Sequence, residues 1–386
     1  MHTTARCSAA IASANATPSA AELRRAFDAP TPLTVGLEEE VMLLHPDTLD
    51  LLPRAAEVLA IVRQDPSVKS ELPASQLELV TLPASTVGEV ATALRAARNR
   101  LVAATNGIGL LAAAGAHPFS APEGELSNAK RYEAIAREYG RIARRQLVFG
   151  LHVHVAVRPA ARALAVYNAL RSYLPELAAL SANAPFHAGA DTGLESVRPK
   201  LAESLPRQGI PPPFASLEEF ADALHWANTA GALTDPRQWW WELRPHPWLG
   251  TVEVRVCDAQ TTVAETGALA AVIHALCGWL ASRHDSGDLP PPAPTWRIEE
   301  NRWSACRHGL DGTLADLRTG KPQPARERLA ALLDELAPTA ARLRCANELA
   351  AAGELLKFPA ARRQRAVAAE HGLRGLVSWL AQRFLD

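Results

Sequence analysis

The feature that most constrains this chain is a set of strands whose two faces carry opposite chemistry. In 149-FGLHVHVAVRP-159, Leu151, Val153, Val155 and Val157 alternate with His152 and His154. The imidazoles therefore share one face of the strand and the aliphatics the other. The same i, i+2 spacing pairs Glu38 with Glu40, Gln76 with Glu78, Glu242 with Arg244, and Glu253 with Arg255. Residues so spaced lie about 6.5–7 Å apart on one face. Each pair alone has an ordinary reading: a solvated acidic run, an exposed strand face, a cross-strand ion pair. Five pairs together predict a sheet with a dry face under helices and a concave, charged face.

The rest of the pattern supplies those helices. Apolar residues at helical spacing predict helices over 53–63, 87–114, 160–180, 217–229 and 262–282, followed by a helical C-terminal part rich in Ala, Leu and Arg. Residues 184–214 hold no sustained period and read as a long ordered loop, which in a compact domain usually carries function. Residues 284–294 read as a surface linker. Strands interspersed with helices, several of them antiparallel, give an α+β fold. Residues 1–30 read as a disordered leader. The Ala, Ser and Thr content of the leader also resembles an organellar transit peptide. Residues 31–386 form one domain, a length that allows a large core.

Composition excludes several classes. A formal net charge of −1 offers no basic field for nucleic acid or an anionic membrane. No apolar run approaches the 18 or so residues that span a bilayer. The five cysteines are scattered at 7, 257, 277, 306 and 345 with no CxxC pair, which places the chain in a reducing, cytoplasmic setting as free thiols.

The charged face has a chemistry of its own. Glu38, Glu40, Glu78 and Glu253 are hard oxygen ligands suited to magnesium or manganese, and His152 or His154 can add a nitrogen. Arg244 and Arg255 are fixed forks for phosphate or carboxylate. Clustered carboxylates repel, so gathering four needs cations to neutralise them. The combination reads as a metal–nucleotide site, and without GxxxxGK[ST] or GxGxxG it holds nucleotide in neither the P-loop nor the Rossmann manner.

These residues sit in motifs that recur together. TVGLEEE, QLELVT, GLHVHV, DTGLESVRP with LPRQGIPPPF, WELRPHP, GTVEVRVCD, and ENRW with RHGLDGTL, in that order from Thr34 to Arg318, resemble the type-2 glutamate–cysteine ligase family of carboxylate–amine ligases. The resemblance implies a glutamine-synthetase-like catalytic domain, a curved antiparallel funnel for nucleotide, metals and substrate. It implies metal ligation by Glu38, Glu40, Glu78, His152 and Glu253, with His154 near the nucleotide phosphates and Arg255 on the transferring phosphoryl group. Arg198 and Arg244 become candidates for a substrate carboxylate, Arg302 and Arg307 for nucleotide phosphates. The implied reaction is ATP-dependent amide formation through an acyl phosphate, glutamate with cysteine yielding γ-glutamylcysteine, by a homo-oligomer acting on small molecules. Two other classes compete: a metal-dependent amidohydrolase, in which HxH holds zinc, and a non-catalytic binder of nucleotide or amino acid.

Overall fold

The computed structural model describes residues 17–386 except 234. In chain order the longer elements are helix α1 (Ala20–Asp28), β1 (Val35–Leu44), α2 (Ala55–Ile61), β2 (Val68–Ser70), β3 (Gln76–Val80), α3 (Val87–Ala104), β4 (Leu110–Ala112), α4 (Lys130–Tyr139) and β5 (Gly150–Val155). There follow α5 (Ala160–Leu170), α6 (Leu174–Ser181), β6 (Phe186–His187), β7 (Ala190–Asp191), α7 (Arg198–Ala202), α8 (Leu217–Thr229), β8 (Leu243–His246) and β9 (Thr251–Asp258). The remainder is mostly helical: α9 (Val263–Asp285), α10 (Thr295–His308), a small hairpin, then α11 (Ala325–Arg342), α12 (Ala346–Lys357) and α13 (Ala360–Gln382).

Seven strands make one antiparallel sheet in the order β2-β3-β1-β5-β9-β8, with β4 joined to the end of β1. The sheet is open, with β2 and β8 at its edges. Register decides what shares a face. Glu38 is opposite His152, His154 opposite Glu253, Glu253 opposite Arg244, and Glu40 opposite Glu78. The alternate residues Leu37, Val41, Leu77, Leu79, Leu151, Val153, Val252 and Val254 are fully buried in an apolar cluster that runs from Leu23 to Phe384. A fold of this kind is α+β, as the strand pattern predicts.

The dry face is covered by α9, around which α3, α5, α11 and α12 pack. Its start is fixed by a capping box, in which Thr262 caps the helix and Glu265 returns the bond. This helix is long and apolar enough to cross a bilayer, contrary to the sequence expectation, but 83% of its most apolar window is buried by its neighbours. It is apolar all round because it is surrounded by protein.

Several boundaries differ from expectation, among them the helix expected over 160–180, which is broken into α5 and α6 at Arg171–Tyr173. The leader does not extend to residue 30: Ser19 and Glu22 form a capping box, and the helix they start buries Leu23 and Phe27 against the core. Residues 1–16 lie outside the described residues. The helix begun at Val87 ends at Ala104 rather than 114, because Gly107 takes φ +77° and the chain turns into β4 alongside β1.

Candidate active site

Glu38, His152, His154 and Glu253 come from three adjacent strands and converge because cross-strand partners stand side by side on one face. His152 Nδ1 lies 3.3 Å from Glu38 Oε2, and His154 Nε2 lies 3.6 Å from Glu38 Oε1 and 3.9 Å from Glu253 Oε1. The ligand atoms of Glu38, His154 and Glu253 fall within 4.8 Å of one another, as do those of Glu38, Glu78 and His152. Glu38 belongs to both triads. A β-bulge on β9 sets Arg255 and Val256 against the single residue His152, which tips Arg255 onto the imidazole: its Nη1 is 3.2 Å from His152 Nδ1.

Each histidine is anchored through Nδ1. His154 Nδ1 is 2.9 Å from Thr251 Oγ1, while Nε2 of both His152 and His154 is buried without a hydrogen-bond partner. With Nδ1 anchored, each ring can turn Nε2 to a metal when that nitrogen is unprotonated. For His154, burial is outweighed by Glu253 and Glu38, which favour the protonated ring, so a cation there would displace a proton. Two such nitrogens among three carboxylates fit one or two divalent cations.

The electrostatics agree with that fit. Burial and the neighbouring Glu38 and Glu71 push Glu78 well above the ordinary carboxylate range. Burial raises Glu40, and Arg198 and Arg255 only partly offset it. Glu38 and Glu253 go the other way. Burial alone would raise them, but His154 and His152 hold Glu38 well below its usual value, and Arg244 and Arg255 do the same for Glu253. His152 is pushed down to about 4 by burial and by Arg255, so it is neutral and able to ligate at pH 7. Glu78 and Glu40 are the carboxylates short of positive charge, which a cation would supply.

Beside the cluster lies a cavity of about 150 Å³ lined by Glu40, Glu71, His152, Arg198, Arg255 and Trp240, among others. Arg198 reaches it by lying across β5, where Gly150 leaves room: a Cβ at 150 would stand 2.3 Å from the guanidinium. Arg198 donates to the carbonyls of Arg255 and Val256 at 3.2 Å, and its Nε is buried and unpaired. Nε of Arg255 is also unpaired. Two guanidiniums with spare donors thus face the space next to the carboxylates.

Other expected residues are placed differently. Glu40 belongs to neither triad; it accepts the Gly150 amide and faces the cavity. Arg244 is spent: Nε and Nη2 grip Glu253 at 2.5 and 3.0 Å, and Nη1 holds the carbonyl of Arg237 at 2.7 Å, which leaves no fork for a substrate. Arg302 is buried in a bidentate pair with Glu242 at 2.8 and 2.6 Å, with Glu203 and Glu299 on its remaining nitrogen, so its charge is consumed inside the protein. Arg307 lies exposed on α10 and donates to the Gly193 carbonyl. Sequence reading missed Glu71 and His246. Glu71 lies in the turn between β2 and β3, outside any strand pattern, and burial with Glu40 nearby lifts it to about 7. His246 packs edge-on to His154 with ring centroids 5.6 Å apart, and its place at the end of β8 was the available signal.

With this geometry in hand, comparison with known proteins is informative. The family model for glutamate–cysteine ligase family 2 matches residues 34–376. The chain belongs to that family. A Rubrobacter xylanophilus protein provisionally named glutamate–cysteine ligase 2-3 is 43% identical, over 92% of this chain and 98% of its own length. A Thermobifida fusca protein, provisionally named glutamate–cysteine ligase 2, is 37% identical over 91% and 90%. Among solved structures, the Francisella tularensis glutamate–cysteine ligase in complex with AMP shares the fold at TM-score 0.69 and 13% identity, covering 91% of this chain and 88% of that one. A bifunctional glutathione synthetase from Pasteurella multocida does so at TM-score 0.66 and 16% identity, covering 95% and 53%. The family carries the reaction class with it: an ATP-dependent carboxylate–amine ligase acting on small molecules. The comparisons do not favour the amidohydrolase or the non-catalytic binder.

Proposed function

We propose that the strand-face cluster and the adjoining cavity join an amino-acid carboxylate, glutamate first among candidates, to the amine of a second amino acid such as cysteine. The observation that carries this reading is the placement of the Glu38/His154/Glu253 and Glu38/Glu78/His152 triads beside two guanidiniums with unpaired donors. In the reaction, a carboxylate oxygen of the donor attacks the γ-phosphorus of ATP and ADP leaves. The amine nitrogen then attacks the acyl carbon, phosphate departs, and the nitrogen loses a proton as the amide forms.

Glu38, Glu78 and Glu253 with His152 and His154 would hold magnesium or manganese, the latter better suited to the imidazoles. A divalent cation there supplies neutralisation of the phosphate oxygens. The chain's own residues do the positioning. Arg255, kept protonated by Glu253, faces charge that develops on the transferred phosphoryl group, and His154 lies alongside. Arg198 grips a substrate carboxylate with the donors it has left. Arg302 and Arg307 serve the scaffold in this reading, and Arg244 keeps Glu253 ionised and aimed. Catalysis is then chiefly placement and fixed charge.

A homo-oligomer in the cytoplasm completes the proposal. It rests on the general prevalence of symmetric assemblies and on the four cysteines among the described residues, all buried and unbridged. ADP release should be followed with ATP and Mg²⁺ or Mn²⁺ against a matrix of amino-acid carboxylates and amines, with Glu38→Gln as the blank. ADP formed in step with an amide, and only when both partners are present, supports the reading and names the substrates. ADP release indifferent to either partner overturns it, as does silence from protein that binds ATP.

A further inference from the structure

The segment from Asn183 to Arg198 leaves the core, turns through the β6–β7 hairpin and returns, and both of its feet meet one carboxylate. Asp258, at the end of β9, accepts from the Asn183 amide at 2.7 Å and from Ser196 Oγ at 3.0 Å, and its Oδ1 lies 3.9 Å from Arg198 Nη1. The two feet are also laced together: the Val197 amide donates to Ala184 O at 2.9 Å. Arg198 is therefore the first residue beyond the returning foot, and its orientation over the cavity follows the orientation of that foot.

The far end of the segment is held by the C-terminal helix α13. Arg365 places Nε and Nη2 on the Asp191 carboxylate at 2.8 and 3.1 Å, Nη2 on the Leu194 carbonyl at 2.7 Å, and Nη1 on Glu195. Its neighbour Gln364, buried, donates to Asn183 O at 2.9 Å and Asn183 Oδ1 at 2.7 Å. From α10, Cys306 O accepts from the Glu195 and Ser196 amides at 2.9 and 3.2 Å. Neither Arg365 nor Gln364 lines the cavity. Single hydrogen bonds to backbone carbonyls also hold the segment, from the Gly189 amide to Pro118 O at 3.1 Å and from Arg307 to Gly193 O. The Arg365 guanidinium, by contrast, fixes three residues within seven positions of Arg198 at once and so restrains the foot that carries it.

We infer that Arg365 is a positioning residue: through the 183–198 segment, the C-terminal helix sets where Arg198 meets the substrate carboxylate. The inference rests on the reading that Arg198 grips that carboxylate. Small displacements of a binding group far from the chemistry are enough to weaken it considerably. The side chain acts on binding, so its loss is expected to appear in KM for the amino-acid substrate and not in kcat or in KM for ATP.

The test uses the full chain and four variants, in the ADP-release assay. Arg365→Ala is expected to raise KM for the amino-acid substrate about ten-fold, with kcat and KM for ATP within about two-fold. Arg365→Lys should restore part of the loss, since an ammonium satisfies one carboxylate but not the Leu194 carbonyl as well. Arg198→Ala should raise the same KM, and the double variant Arg198→Ala/Arg365→Ala should lose little more than Arg198→Ala alone, because both act through one contact. If Arg198→Ala raises KM and Arg365→Ala does not, or if their losses simply add, the positioning role is overturned while the Arg198 reading stands. If Arg198→Ala leaves KM unchanged, both fall. Should Arg365→Ala fail to fold, the pair Asp191→Asn/Glu195→Gln removes the same contacts from the loop side and must reproduce the KM effect.

Discussion

Glu38, Glu39 and Glu40 are consecutive on β1, yet the two faces of that strand treat a buried carboxylate in opposite ways. Glu39 points into the covered face and is fully satisfied. Arg98 meets it with two parallel bonds at 2.8 and 2.7 Å, Thr266 adds a hydroxyl at 2.8 Å, and the remaining donors of Arg98 go to the carbonyls of Gln260, Thr261 and Phe384. On the other face, Glu38, Glu78 and two histidines leave ring nitrogens without partners and carboxylates pushed off their ordinary values. Both clusters are ionic and buried. The closed one is satisfied within the fold; the open one keeps unpaired groups, as the proposed ligand site requires.

The sharpest way to break this comparison is to damage each side and ask which property fails. Arg98→Met strands Glu39 in an apolar core and should cost about 3–5 kcal/mol of stability, with little effect on KM in whatever fraction remains folded. Denaturant unfolding measures it; a loss under 1 kcal/mol would mean the network is not the structural pin described. Glu78→Gln should do the reverse. Turnover falls roughly 10²–10³-fold, while the metal-free protein keeps or gains stability because a carboxylate that burial and its acidic neighbours hold well above its ordinary range is made neutral. A variant that unfolds instead would erase the distinction between the faces.

Cation binding sharpens the contrast further. At about one hundred times its dissociation constant, Mg²⁺ or Mn²⁺ should stabilise wild-type protein by about 2.7 kcal/mol and Glu38→Gln far less. The pH dependence has a definite sign. Glu78 and Glu40 hold protons above the usual carboxylate range, so the folded chain binds more protons than the unfolded one in that window. Their contribution to metal-free stability therefore declines as pH rises through it. A cation displaces those protons, so affinity should strengthen with pH and calorimetry in two buffers should register proton release. The smallest effect belongs to the rim: Lys69, half exposed and 3.9 Å from Glu78, should matter by less than about 1 kcal/mol when replaced by Met.

The alternation of polar pairs was legible because a strand's period is two and register puts equals opposite equals. The fate of Glu39 was not. Its partner lies 59 residues away on a helix, and a run of three glutamates reads the same whether its middle member is solvated or sealed. The arginines show the same limit. Guanidinium chemistry announces what a side chain can hold, but only the fold reveals that Arg244 and Arg302 already hold Glu253 and Glu242 while Arg198 and Arg255 keep donors to spare. The helix after Ser19 was different: its capping box and its Leu23 and Phe27 stood in the sequence, and the small-residue composition around them hid the signal.

Arg98 has one more consequence, for the order in which the protein comes into being. Its last acceptor, the carbonyl of Phe384, is 286 residues downstream. A ribosome releases β1 and α3 long before that group exists, so in the interval one guanidinium N–H must borrow water, even after α9 is made and covers the apolar back of the sheet. The buried Glu39–Arg98 cluster is thus closed late, by a group made after the core around it.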